Sequence, residues 1–152
     1  SYDLRLLLLD PIGQHALSSY AQKNMTRELL FCWVDISEYH VIPTNQYRYC
    51  KAQRIYRKYL KEGSNMNVGG IEPEKVEVIV ELLEAAKEYP QDAPVKKDLF
   101  DDVEIVCFNE LLYSTYLPFR KTPEYRVYNK KDKKSYNMVT TADGEDLAES
   151  GQ

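Results

Sequence analysis

Apolar residues along this chain recur mainly at spacings of three and four, the period of helices that bury one face. Leu29, Trp33 and Ile36 share a face in this way, and Leu30 and Val34 widen the stripe. Thr26 stands where a helix cap belongs, with Glu28 near the positive end of the helix it would start. Ala52, Ile55, Tyr56, Tyr59 and Leu60 form a second stripe opposite Arg54, Arg57, Lys58 and Lys61, which predicts a helix over about residues 46–60. A third stripe of Phe100, Val103, Cys107 and Leu111 predicts a last long helix from about Lys97 to Leu117.

Proline, glycine and short polar residues divide these stripes. Asp10 before Pro11 is a cap followed by an N1 proline, opening a helix with Ala16, Leu17 and Tyr20 on one side. Pro43 stops the Trp33 helix, and Gly63-Ser64-Asn65 with Gly69-Gly70 bound an exposed loop. From Pro73 to about Glu88 the pattern reads two ways, since Val76, Val78, Val80 and Leu82 alternate as a strand would. The helix formers Leu83 to Lys87 continue that run and favour a helix. Pro90 and Pro94 bracket a linker, and Pro118 kinks or ends the last helix. The class is all-α. After residue 128 the large apolar spacing stops, so residues 129–152 are expected to form a mobile charged tail.

Composition narrows the function. A hydrophobic fraction of 43% over 152 residues suits one core, and a net charge of -4 provides no footprint for nucleic acid. No apolar run approaches the roughly 20 residues that cross a bilayer. Lys130, Lys131, Lys133 and Lys134 read first as a solvated charge run, with membrane contact at most peripheral. Three cysteines at unrelated spacings fit reduced thiols in the cytoplasm. The thirteen tyrosines offer packing area with a polar tip.

Catalytic patterns do not emerge. Phosphate-cradling glycine motifs are lacking, and Asp101 and Asp102 are adjacent, pointing to different sides of a helix. His15 and His40 have no histidine partner at helical spacing, so neither a metal nor a cofactor is expected. A dyad of His40 with Cys32 or Cys50 stays open as a minor alternative, although Cys32 lies inside an apolar stripe.

Five segments, in order, resemble the RGS (regulator of G-protein signalling) domain, which implies a bundle of about nine helices. Leu7 to Gly13 resembles the family's opening, in which leucines precede a short loop with glycine. Thr26-Arg27-Glu28-Leu29-Leu30-Phe31-Cys32-Trp33 resembles the family segment S-x-E-N-x-x-F-W. Ala52-Gln53-Arg54-Ile55-Tyr56 resembles A-x-x-I-Y, and Met66-Asn67-Val68 resembles the V-N-L or I-N-L loop. Tyr113 to Phe119, continuing to Tyr125, resembles D-S-Y-x-R-F…Y. The likeness covers about residues 4–128, and the domain is set at residues 3–128.

The resemblance implies binding to a Gα subunit near its GTP-hydrolysis transition state. Such a domain speeds hydrolysis by holding the switch regions and is itself no enzyme. The Gα-facing positions carried over are Thr26, Glu28, Leu29, Asn67, Ser114 and Pro118. Leu29 stands where the family has asparagine, Ser114 where it has an acidic residue, and Pro118 where it has arginine. Those departures keep a second reading open, an RGS-fold interaction or scaffold module without GTPase acceleration. The apolar start at Ser1-Tyr2-Asp3-Leu4 fits a domain of a larger signalling protein, cytoplasmic and open to recruitment at the membrane surface.

Overall fold

The computed structural model describes residues 2–130. Seven α-helices are delimited among them: α1 (Tyr2–Leu9), α2 (Pro11–Lys23), α3 (Arg27–His40), α4 (Asn45–Ile55), α5 (Pro73–Glu88), α6 (Asp101–Glu110) and α7 (Leu117–Phe119). The architecture is all-helical, with seven helices rather than about nine. Two of the helices run on through π-helical turns, as the continuous stripes over about residues 46–60 and 97–117 imply. A π-helical turn over Tyr56–Leu60 prolongs α4, and another over Leu111–Tyr116 joins α6 to α7 without a break. Each closes with a five-residue hydrogen bond, from Lys61 N to Tyr56 O and from Leu117 N to Leu112 O. A further helical stretch covers residues 123–130, which includes Asn129 and Lys130. The rest of the expected tail, including Lys131, Lys133 and Lys134, lies outside the described residues.

Asp10 caps α2 as its sequence implies, its Oδ1 accepting from Ile12 N at 3.0 Å. Gly13 departs from expectation, for it lies in no loop. It is buried in the first turns of α2, where a Cβ would sit 2.5 Å from the Leu7 carbonyl oxygen. Glycine is needed there because α1 and α2 join through one residue and cross closely. Helix α5 settles the strand-or-helix ambiguity. Ile79, Leu83 and Ala86 are its buried positions, while Val78 and Leu82, half of the alternating set, are exposed.

The core gathers Leu4, Leu8, Leu17, Leu30, Ile36, Ile55, Phe100, Leu111 and Phe119, all essentially excluded from solvent. Trp33 joins it at 5% exposure. Buried tyrosines keep their hydroxyls bonded: Tyr39 donates to Lys96 O, and Tyr59 donates to Asp35 Oδ2 at 2.5 Å. Phe119 packs on Tyr20 and Tyr125 at ring separations of 5.4 and 5.5 Å. The linker between α5 and α6 is tied down. Arg48 donates to Val95 O at 2.8 Å, and Asn45 Oδ1 accepts from Val95 N at 2.7 Å. No helix among the described residues is long and apolar enough to cross a membrane.

Candidate functional site

Helices α3 and α6 pack antiparallel, because the start of α3 meets the π-turn after α6 while its end meets the start of α6. Met25, at φ 60°, turns the chain into α3, and Thr26 follows at the cap position. Its side chain makes no cap bond. Instead Thr26 Oγ1 accepts a 2.9 Å hydrogen bond from Thr115 Oγ1, a fully buried hydroxyl 89 residues along the chain. The expected capping role is thus replaced by a tertiary one: Thr26 has ψ 14°, outside the extended range typical of a capping residue.

Ser114 lies beside this pair, 3.3 Å from Thr115 Oγ1, and donates to Glu110 O of its own helix. Glu28 is half-buried in the first turn of α3, where the helix dipole favours a carboxylate. Leu29 is also half-buried and packs against the core. The structure therefore brings Thr26, Thr115 and Ser114 together, with Glu28 and Leu29 a turn away.

Pro118 comes one residue before the helix ends at Phe119, in keeping with the expected stop. It occupies the start of α7, and helical bonding continues past it from Arg120 N to Tyr116 O at 3.0 Å. In the π-turn before it, five-residue bonding shifts the ladder ahead of a residue that has no N–H to donate.

Asn67 stands apart from these groups. It is exposed in the loop between α4 and α5, with Nδ2 donating to Lys61 O at 3.1 Å. Next to it, Val68 is buried and its N–H bonds to Tyr59 O at 2.9 Å, anchoring the loop. Gly70, at φ 82°, rests the far side of the loop on α6, where a Cβ would lie 3.7 Å from Val106. Together with α5 this loop borders a groove of about 610 Å³ lined by Tyr56, Leu60, Asn67, Ile71, Val76 and Val80.

At the opposite end of the α3–α6 pair, His40 Nε2 lies 2.9 Å from Glu104 Oε2 and 3.6 Å from Asp101 Oδ1. Spacing within one helix does not reveal this set, because His40 stands 61 and 64 residues before its two partners on another helix. Between the two ends, Cys32 and Cys107 are fully buried, and a hydrogen bond with Cys107 together with burial pushes the Cys32 thiol well above its ordinary range. A buried thiol held protonated is a poor nucleophile.

Alongside α3, burial raises the Asp35 carboxyl. Hydrogen bonds from Tyr59 and Lys51 (2.9 Å), with the charges of Lys51 and Lys58, outweigh it and hold Asp35 below its usual value. Lys51 also donates to Glu38 at 2.7 Å, so α3 and α4 share a charged seam.

Comparison with known families finds that the profile described as "Regulator of G protein signaling domain" matches residues 3–128. That is most of the chain, and the chain belongs to this family. Its class is therefore a regulator of G-protein signalling built on an all-helical domain. Comparison with curated proteins finds no match.

Proposed function

We propose that this domain binds a heterotrimeric G-protein α subunit and accelerates its GTP hydrolysis by holding the switch regions in their reacting arrangement. One observation carries the reading: within a chain of this family, the Thr115–Thr26 bond fixes the start of α3 against the last helical segment, two of the three segments the resemblance assigns to the contact. Asn67, exposed on an anchored loop, would supply the third. The chemistry required is modest, since stabilising the transition state of another protein's reaction needs shape and fixed polar groups rather than a nucleophile.

A second reading has its own support. Ser114 spends its hydroxyl on Glu110 O, Leu29 packs on the core, and Pro118 offers neither charge nor N–H. An interaction module that keeps the bundle without accelerating hydrolysis would look like this. The two separate in a single-turnover GTPase assay across Gα subclasses, with and without the domain. Acceleration of one subclass supports the first reading. No acceleration, together with no binding to the transition-state mimic form, removes it. Within the first reading Asn67→Ala lowers acceleration while leaving thermal stability nearly unchanged, because Asn67 is exposed and holds one weak loop bond. An unaltered rate would take Asn67 out of the contact. The reading places the domain in the cytoplasm, with recruitment to the membrane surface through its partner or flanking segments.

A further inference from the structure

We propose that His40, Asp101 and Glu104 form a binding site for a first-row divalent cation, best suited to Zn²⁺, that clamps the end of α3 to the start of α6. The imidazole ends α3, and both carboxylates stand in the first turn of α6, three residues apart and so on one face. All three ligand atoms lie within 4.8 Å of one another. Zn²⁺ bonds nitrogen and oxygen at about 2.0–2.2 Å in tetrahedral geometry, which sets neighbouring ligand atoms roughly 3.3 Å apart. The observed separations of 2.9 and 3.6 Å from Nε2 bracket that edge, so these two contacts need side-chain adjustments of only a few tenths of an ångström.

Electrostatics agree with the geometry. The C-terminus of α3 presents its negative end beside His40, and the three carboxylates of Asp101, Asp102 and Glu104 more than offset the positive end of α6 on which they stand. Arg5 reaches the rim of the same recess but stacks over Phe108, 4.5 Å from the ring centroid. The recess has about 380 Å³ of open space, enough for water to complete the coordination sphere. The donor set selects the metal: one imidazole with two carboxylates suits zinc and its first-row neighbours, whereas calcium and magnesium prefer all-oxygen sites. The imidazole from a second helix distinguishes this set from an ordinary acidic helix start. Binding here joins two helices that only the folded state brings together, so zinc stabilises the fold in proportion to its affinity.

Titration calorimetry with zinc chloride tests the site on the full chain. The exposed Cys50 is removed by Cys50→Ser, because a thiol is itself a zinc ligand. The expected result is one saturable site per chain, a rise in Tm with added zinc, and visible absorption bands when Co²⁺ replaces zinc. His40→Gln should weaken binding by at least about tenfold and abolish the Tm rise. Asp101→Asn, a near-isosteric change at an exposed position, should weaken it as well and covers the case in which His40→Gln fails to fold. His15→Gln should change nothing. Absence of a saturable site in the Cys50→Ser protein, or affinity unaltered by both His40→Gln and Asp101→Asn, overturns the proposal.

Discussion

The α3–α6 pair is tied at both ends, by opposite chemistry. At the Thr26 end the tie is a neutral hydroxyl pair whose donor, Thr115, is shut off from solvent. At the His40 end it is a charged set with Asp101 about half exposed. A buried neutral hydrogen bond has one partner available and holds one geometry, indifferent to salt. Partly exposed charges can trade partners for water, protons or a metal, and they weaken as salt screens them. The end that would carry the proposed Gα contact is thus the fixed one, and the adaptable end lies a helix length away.

The largest blow to this comparison would come from the packing that supports the His40 end. Phe100 is fully buried and meets Tyr39 edge-on at 5.1 Å, so Phe100→Ala should cost about 3–5 kcal/mol in urea denaturation. A loss under about 1 kcal/mol would mean that the two helices separate from this aromatic contact at little cost.

Next comes the lateral seam. Asp35→Asn should destabilise by about 2 kcal/mol at neutral pH, since it weakens hydrogen bonds to a charged acceptor. A carboxyl depressed by folding contributes stability above its unfolded pKa of about 3.9 and loses it as pH falls through the lower folded value. The difference between Asp35→Asn and the parent should therefore shrink below about pH 4. Denaturation curves whose separation stays constant into that range would assign the loss to packing instead.

Thr115→Val should cost about 1 kcal/mol, leaving Thr26 Oγ1 without its donor, while Thr115→Ser restores the bond. Under the Gα reading, Thr115→Val should also lower stimulated GTP hydrolysis by more than its effect on folding explains. Equal activity in the valine and serine variants would show that the hydroxyl pair does not position the surface. The smallest effect belongs to His40→Gln in zinc-free buffer: less than about 1 kcal/mol at low salt, fading as salt rises. If instead Thr115→Val were the salt-sensitive variant, the contrast between the two ends would be reversed.

Much of the fold was legible beforehand because its cues are local. Asp10-Pro11, Pro73 and the Phe100–Val103–Cys107–Leu111 spacing act within a turn or two of the chain, so helix starts and this buried face follow from sequence. The Thr26–Leu29 stretch was readable as a likeness, but not what its hydroxyl does. Thr26 resembles a cap in sequence and serves as an acceptor for Thr115, a role set by which helix arrives beside it. Pro118 divides in the same way: a proline in a helical pattern signals a stop, and the helix does end at Phe119, but nothing in the sequence marks the π-turn that precedes it.

By itself, then, the sequence determined an all-α chain of this family, its buried faces, and most helix starts, because periodicity and capping are properties of neighbouring residues. Only the tertiary structure decided that Gly13 packs within α2 against Leu7, that Thr115 pairs with Thr26, and that His40 meets Asp101 and Glu104. The last two are meetings of side chains from separate helices, fixed by how the helices cross, and that crossing is set by the whole core rather than by any short stretch of chain.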